Sequence, residues 1–145
     1  MNMTEPLFRK ILVATDGSEK NRAAVLEALR IGRAGGGLVY AVYVEDTSVF
    51  ESASPDFVIG DPWAVVQKED TDALNRVRAM AEGVNLETAT LEGKPATEIV
   101  RFAAEKGIDL IVIGTQGKRG LERLLLGSVA ESVIRTAPCR VLVVK

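Results

Sequence analysis

Leu110-Ile111-Val112-Ile113-Gly114-Thr115-Gln116-Gly117, followed across nine residues by Gly127-Ser128-Val129, reads as an apolar strand that opens into a glycine loop and closes on a new helix. The pattern is G-x2-G-x9-G-S. Glycines at both ends of such a loop let backbone N–H groups approach an oxygen-rich ligand with no Cβ in the way. A helix starting at Gly127-Ser128 turns the positive end of its dipole toward the same space. Together these features make a phosphate-binding arrangement, and any phosphate chemistry of the chain is expected here.

Outward from that loop the chain alternates strands and helices. Lys10 to Thr15 is a β-branched apolar run ending at Asp16-Gly17-Ser18, with Ser18 as the expected N-cap of a helix whose apolar face carries Val25, Ala28 and Leu29. Gly35-Gly36-Gly37 stops that helix, and Leu38 to Val44 is a second strand. A polar stretch from Glu45 to Pro62 follows. A second helix is expected from about Trp63 to Glu82, with Ala73, Val77, Met80 and Ala81 at helical spacing and Gly83 as a left-handed cap. Asn85 to Leu91 is the third strand, and Pro95 opens a third helix that turns Ile99, Phe102 and Ala103 inward before Gly107-Ile108. Beyond the glycine loop come a fourth helix, with Val129, Val133, Ile134 and Ala137 on one face, and a last strand, Arg140 to Val144.

Five apolar strands separated by four helices predict a doubly wound α/β fold. Parallel neighbours need crossover connections, and both faces of the resulting parallel sheet must be covered by helices. With no repeat, low-complexity tract or break in composition, residues 1–145 are expected to form a single domain. The segment from 45 to 62 exceeds the usual connection, and Phe50, Phe57 and Trp63 favour a lid over a disordered excursion.

Composition removes several classes of function. The chain has no histidine and one cysteine, Cys139, so a Ser-His-Asp or Cys-His nucleophile and a zinc site of the usual kind are out of reach. Cys139 reads as a small buried apolar residue in a reducing compartment. A net charge of −2, with 18 basic and 20 acidic residues intermixed, gives no long-range attraction for nucleic acid or an anionic membrane. No apolar stretch approaches a signal-peptide core or the ~20 residues of a membrane span, and the expected location is the cytoplasm.

In doubly wound sheets ligands sit beyond the carboxyl ends of the strands, where the winding reverses. If the first and fourth strands are neighbours, Asp16 faces the glycine loop across one crevice. An aspartate there can accept from a ribose hydroxyl or an adenine amine, can recruit Mg²⁺, or can do no more than start the first helix beside Ser18. Lys118, Arg119 and Arg123 lie within the loop, and Arg119 is a candidate phosphate ligand.

From Lys10-Ile11-Leu12-Val13-Ala14-Thr15-Asp16-Gly17-Ser18, through Tyr43-Val44-Glu45-Asp46 and the glycine loop, to Ala137-Pro138-Cys139-Arg140-Val141-Leu142-Val143-Val144, the chain resembles the universal stress proteins. The resemblance implies a strand order of 3-2-1-4-5, and members with this glycine signature look like ATP binders. It further implies that Asp16 and the backbone of Val44 hold the adenosine end, with Ala14, Thr15 and Ile113 in the same set. Gly114 and Gly117 would line the ribose and first phosphate, and Gly127, Ser128 and Val129 would bind the outer phosphates. Mg²⁺ would arrive through the ATP phosphates, with no protein ligand assigned to it. Gln116 stands where many members carry histidine or arginine.

Three functions compete on these residues: an ATP-binding regulatory protein acting through nucleotide-dependent conformation or partner binding, a slow ATPase or phosphotransfer enzyme, and a nucleotide-independent interaction module. A NAD dehydrogenase is disfavoured because Asp16-Gly17-Ser18 lacks G-x-G-x-x-G. With the implied strand order, Val141, Leu142, Val143 and Val144 form an apolar edge strand, and a homodimer is expected to pair through it.

Overall fold

The structure, a computed structural model, describes residues 5–47, 62–115 and 126–145, with side chains of the middle segment described from residue 68. Five strands are present among the described residues: β1 (Lys10–Ala14), β2 (Leu38–Asp46), β3 (Asn85–Gly93), β4 (Leu110–Gly114) and β5 (Arg140–Val144). They form one sheet in the order β3-β2-β1-β4-β5, and every neighbouring pair is parallel. Among the described residues four α-helices lie between or beside them: α1 (Arg22–Gly35), α2 (Pro62–Met80), α3 (Pro95–Lys106) and α4 (Ser128–Thr136). The doubly wound α/β fold and its strand order agree with expectation.

The sheet separates two cores. On one face Ile11, Val13, Val39, Ala41 and Val112 pack against Val25, Ala28 and Leu29 of α1 and Ala73, Leu74 and Val77 of α2. On the other, Leu12, Val42, Ile111 and Ile113 meet Ile99, Phe102 and Ala103 of α3 and Ala130 and Val133 of α4. Alternate residues of β1 and β4 therefore serve opposite cores, which is why Ile11 to Ala14 and all of β4 are continuously apolar rather than alternating. Gly32 lets α1 lie close against β2, since a Cβ there would stand 2.4 Å from Val39 Cγ2.

Several boundaries differ from the sequence expectation. Thr15 lies just beyond β1, although its N–H still donates to Val42 O at 2.8 Å. β2 runs on past Val44 to Asp46 because β3 keeps pairing with it, through Glu45–Glu92 and Asp46–Gly93, after the apolar run has ended. Glu45 and Asp46 therefore belong to β2 and not to the irregular stretch expected from 45 to 62. Residues 48–61 and the side chain of Trp63 lie outside the described residues, so the lid expectation with Phe50 and Phe57 does too. α2 stops at Met80, short of Glu82, and Arg33 donates to the carbonyls of Met80 and Glu82 at 3.4 and 3.0 Å, satisfying backbone left open at the helix end. Gly83 takes the left-handed conformation foreseen for it, but in the turn after the helix.

Two side-chain expectations are corrected. Ser18 caps a 3-10 turn, Glu19–Asn21, which precedes α1; α1 itself begins after Asn21. Ile134 is 44% exposed rather than part of the inward face of α4, where Ala130 and Val133 are the buried residues. A nine-residue helix against a sheet buries a narrower stripe than its apolar residues suggest.

Candidate functional site

β1 and β4 are adjacent, paired from Ile11–Leu110 to Val13–Val112, while the chain winds from β1 outward in opposite directions on either side. Their carboxyl ends thus meet at the switch point of the sheet, where a crevice forms outside the strands. Asp16 leaves one side and Gly114-Thr115 the other.

The β1 turn is held by its own side chains. Thr15 is buried and its Oγ1 accepts from the Gly17 N–H at 3.2 Å. Asp16 Oδ1 accepts from Ser18 N–H at 2.9 Å and from Ser18 Oγ at 2.6 Å. One carboxylate oxygen of Asp16 is thereby committed to the turn, which fixes the direction of the carboxylate. Gly17 has φ +78°, a left-handed conformation that favours glycine, and it rests on α2, where its carbonyl accepts from Arg76 Nη1 at 2.7 Å.

On the β4 side, Thr115 N–H donates to Val144 O at 3.0 Å and Gly127 N–H donates to Thr115 O at 2.6 Å. The second bond pins the entry of α4 to the exit of β4, whatever path the loop takes between them. Gly127 is the N-cap of α4 and makes no side-chain cap bond, so among the described residues no capping side chain engages the first N–H groups of the helix. Ser128 is exposed at this end and Val129 is partly packed into the α3–α4 core. The uncapped helix terminus, with its positive dipole end, suits an anion.

β2 supplies the third wall. Its ladder with β1 ends at Ala14–Val42, yet the strand continues to Asp46. Because Val42 turns its C=O toward β1, to accept from Thr15, strand alternation directs the N–H and C=O of Val44 the same way, into the space beyond the end of β1. One donor and one acceptor side by side there match the hydrogen-bonding edge of a purine.

Of the candidate residues, Asp16, Val44, Gly114, Gly127, Ser128 and Val129 come together at this end of the sheet. Ala14, Thr15 and Ile113 do so only through backbone or turn roles. Ala14 O already accepts from Asn21 Nδ2 at 3.1 Å, Thr15 Oγ1 is used in the turn, and the Ile113 side chain belongs to the core. Gly117 and Arg119, with Gln116, Lys118 and Arg123, lie outside the described residues. Asn21 and Arg76 were not identified from the sequence. Asn21 is buried, ties the 3-10 turn to β1 and leaves its Oδ1 without a hydrogen-bond partner among the described residues. A polar residue three positions after the Asp-Gly-Ser turn was the available signal for it; Arg76 carried none, being on a distant helix.

Cys139 stands at the start of β5, the end of the sheet opposite the crevice. Burial, then Asp109, pushes its thiol up, against a backbone hydrogen bond from Ile111 that lowers it, so it stays a protonated, packed side chain. Among the described residues no cluster of carboxylates, cysteine or histidine is arranged to hold a metal ion, and no helix is long and apolar enough to cross a membrane.

Fold and crevice define the class: a doubly wound α/β protein whose open backbone groups and uncapped helix end meet at the sheet's switch point. The chain belongs to the universal stress protein family, whose family model matches residues 7–145. A universal stress protein of Methanocaldococcus jannaschii is 47% identical over 147 residues, spanning 97% of this chain and 84% of that relative. A solved universal stress protein from Archaeoglobus fulgidus, in complex with dAMP, is 25% identical with a TM-score of 0.67, spanning 96% of this chain and 99% of the other. Another universal stress protein, solved in complex with cAMP, is 27% identical with a TM-score of 0.69, spanning 94% and 96% of the two chains.

Proposed function

We propose that this chain is an adenine-nucleotide-binding regulatory protein that takes ATP with Mg²⁺ in the crevice between β1 and β4. The observation that carries the proposal is the Gly127 N–H to Thr115 O bond, which holds the uncapped start of α4 at the mouth of the switch-point crevice. The base lies against the Val44 backbone, Asp16 accepts from the ribose or the adenine amine, and Gly114 leaves room for the sugar and first phosphate. The outer phosphates meet the N–H groups of Ser128 and Val129, with Gly117 and Arg119 assigned to the phosphate loop. The dAMP and cAMP complexes of related proteins support an adenine nucleotide as the ligand class.

Regulation rather than turnover is the proposed output. A chain without histidine offers few groups to activate water beside a terminal phosphate, whereas its backbone groups are well placed to bind one. Calorimetry of nucleotide-stripped protein checks the ligand: ATP should bind with Mg²⁺ more tightly than GTP. Equal heats and affinities for the two, or none for either, would contradict the role given to Val44.

The proposal includes a homodimer through β5. Among the described residues this strand pairs with β4 alone, and because Val144 turns its carbonyl toward β4, alternation leaves the N–H and C=O of Val141 and Val143 facing outward. An apolar edge of this kind is a template for a second copy, which would satisfy both edges about a two-fold axis.

A further inference from the structure

Where β1 and β4 part, a side chain stands in for a strand. Their ladder ends at Val13–Val112, although β1 stays paired with β2 as far as Ala14–Val42. The peptide between Ala14 and Thr15 is trans and sends its N–H to Val42 O of β2 at 2.8 Å, so its carbonyl points the opposite way, to the β4 side. There Ala14 O accepts from Asn21 Nδ2 at 3.1 Å. A ladder one pair longer, joining Ala14 to Ile113, would give that same carbonyl to the N–H of Gly114. The amide of Asn21 takes the place of a β4 donor at the switch point.

The same residue is tied to the nucleotide turn. Asn21 N–H donates to Ser18 Oγ at 3.3 Å and to Ser18 O at 3.2 Å, while Ser18 Oγ donates to Asp16 Oδ1 at 2.6 Å. A hydroxyl has one proton to donate and accepts through its lone pairs. With Asn21 on the accepting side, the Ser18 proton is directed at Asp16.

Stability is a poor reason for an asparagine here. Asn21 is 7% exposed, and its buried Oδ1 has no hydrogen-bond partner among the described residues. A buried acceptor without a donor costs stability, a cost that leucine, with nearly the same branched shape, would not carry. A packing rule broken in this way is expected where function requires the residue.

We infer that Asn21 is a positioning residue of the nucleotide site. Its amide holds Ala14 O, which stops β4 from zipping one pair further onto β1 and leaves the Gly114 N–H to the ligand; its backbone, through Ser18, aims the Asp16 carboxylate. Asn21 acts through Gly114 and Asp16 and does not itself touch the nucleotide. The ligand half of this inference rests on the nucleotide reading above, whereas the ladder half is tested without any ligand.

Asn21→Leu keeps the shape of the side chain and removes both polar atoms, and Asn21→Ala removes the amide without filling its space. In nucleotide-stripped protein the Gly114 amide should exchange with solvent roughly tenfold more slowly in either variant than in wild type, because the ladder gains a pair. Equal exchange in all three would overturn the ladder role. Affinity for Mg²⁺–ATP should fall about tenfold in both variants, with melting temperatures near that of wild type. Unchanged affinity beside a protected Gly114 would overturn the positioning role and leave the nucleotide reading standing. For the link to Asp16, Ser18→Ala should lower affinity less in the Asn21→Leu background than in wild type; strictly additive losses would overturn that link. Failure of both Asn21 variants to fold would make Asn21 a structural residue and overturn the inference. A wild type that binds no ATP, with Gly114 still protected in the variants, would overturn the nucleotide reading while upholding the ladder role.

Discussion

At Gly127 the backbone has φ −69° and ψ 160°, an extended conformation open to any residue. Glycine is therefore not demanded there by backbone strain, and space for the proposed ligand is one physical reason for it. Gly127→Val is expected to fold with a melting temperature close to wild type while losing at least about tenfold in ATP affinity, or ~1.4 kcal/mol. Paired melting and calorimetry check this. A variant that melts far below wild type would instead make Gly127 a structural residue. The positions of Asp16 after β1 and of Gly127 at the start of α4 were legible in the sequence, because short polar and glycine residues punctuate the ends of elements. Asn21 and Arg76 were not, because each acts on the β1 turn through a contact that only the folded chain creates. Ile134 was misread for the opposite reason: its spacing is helical, but the sheet under α4 covers only part of that face.

Among the elements, the turn from Asp16 to Ser18 and the helix α2 depend on each other. Gly17 has φ +78° and lies against Ala73, so a methyl group there meets both an unfavourable backbone and a close neighbour. Gly17→Ala should cost about 1–2 kcal/mol, read as a lowered midpoint in urea with an unchanged slope. A midpoint equal to wild type would mean that α2 is not seated on this turn. The order of elements was legible because apolar runs and glycine punctuation recur along the whole chain. Their ends were less so. β2 extends into Glu45 and Asp46 because β3 pairs with it, and an apolar pattern gives no sign of a strand that continues on charged residues. For the same reason the sequence did not disclose that Glu45 is buried.

For the molecule as a whole, the strand order followed from the family resemblance and agrees with the structure, and it places β5 at an edge. The proposed dimer uses the outward N–H groups of Val141 and Val143. Val143→Pro removes one of them without touching the ladder to β4, since proline is tolerated on an edge strand where its nitrogen faces outward. Sedimentation should show a dimeric wild type and a monomeric variant, with circular dichroism confirming that the variant is folded. A monomeric wild type, or a folded proline variant that remains dimeric, would place the interface elsewhere or remove it.

The central claim is that an adenine nucleotide occupies the crevice where β1, β2 and β4 end. Amide chemical shifts of nucleotide-stripped protein titrated with Mg²⁺–ATP test it most directly. Saturable shifts should concentrate at Asp16, Val44, Gly114, Gly127, Ser128 and Val129, with the opposite end of the sheet, around Lys10, Asp109 and Cys139, unchanged. Shifts centred at that opposite end, or a spectrum that ATP leaves unaltered, would contradict it.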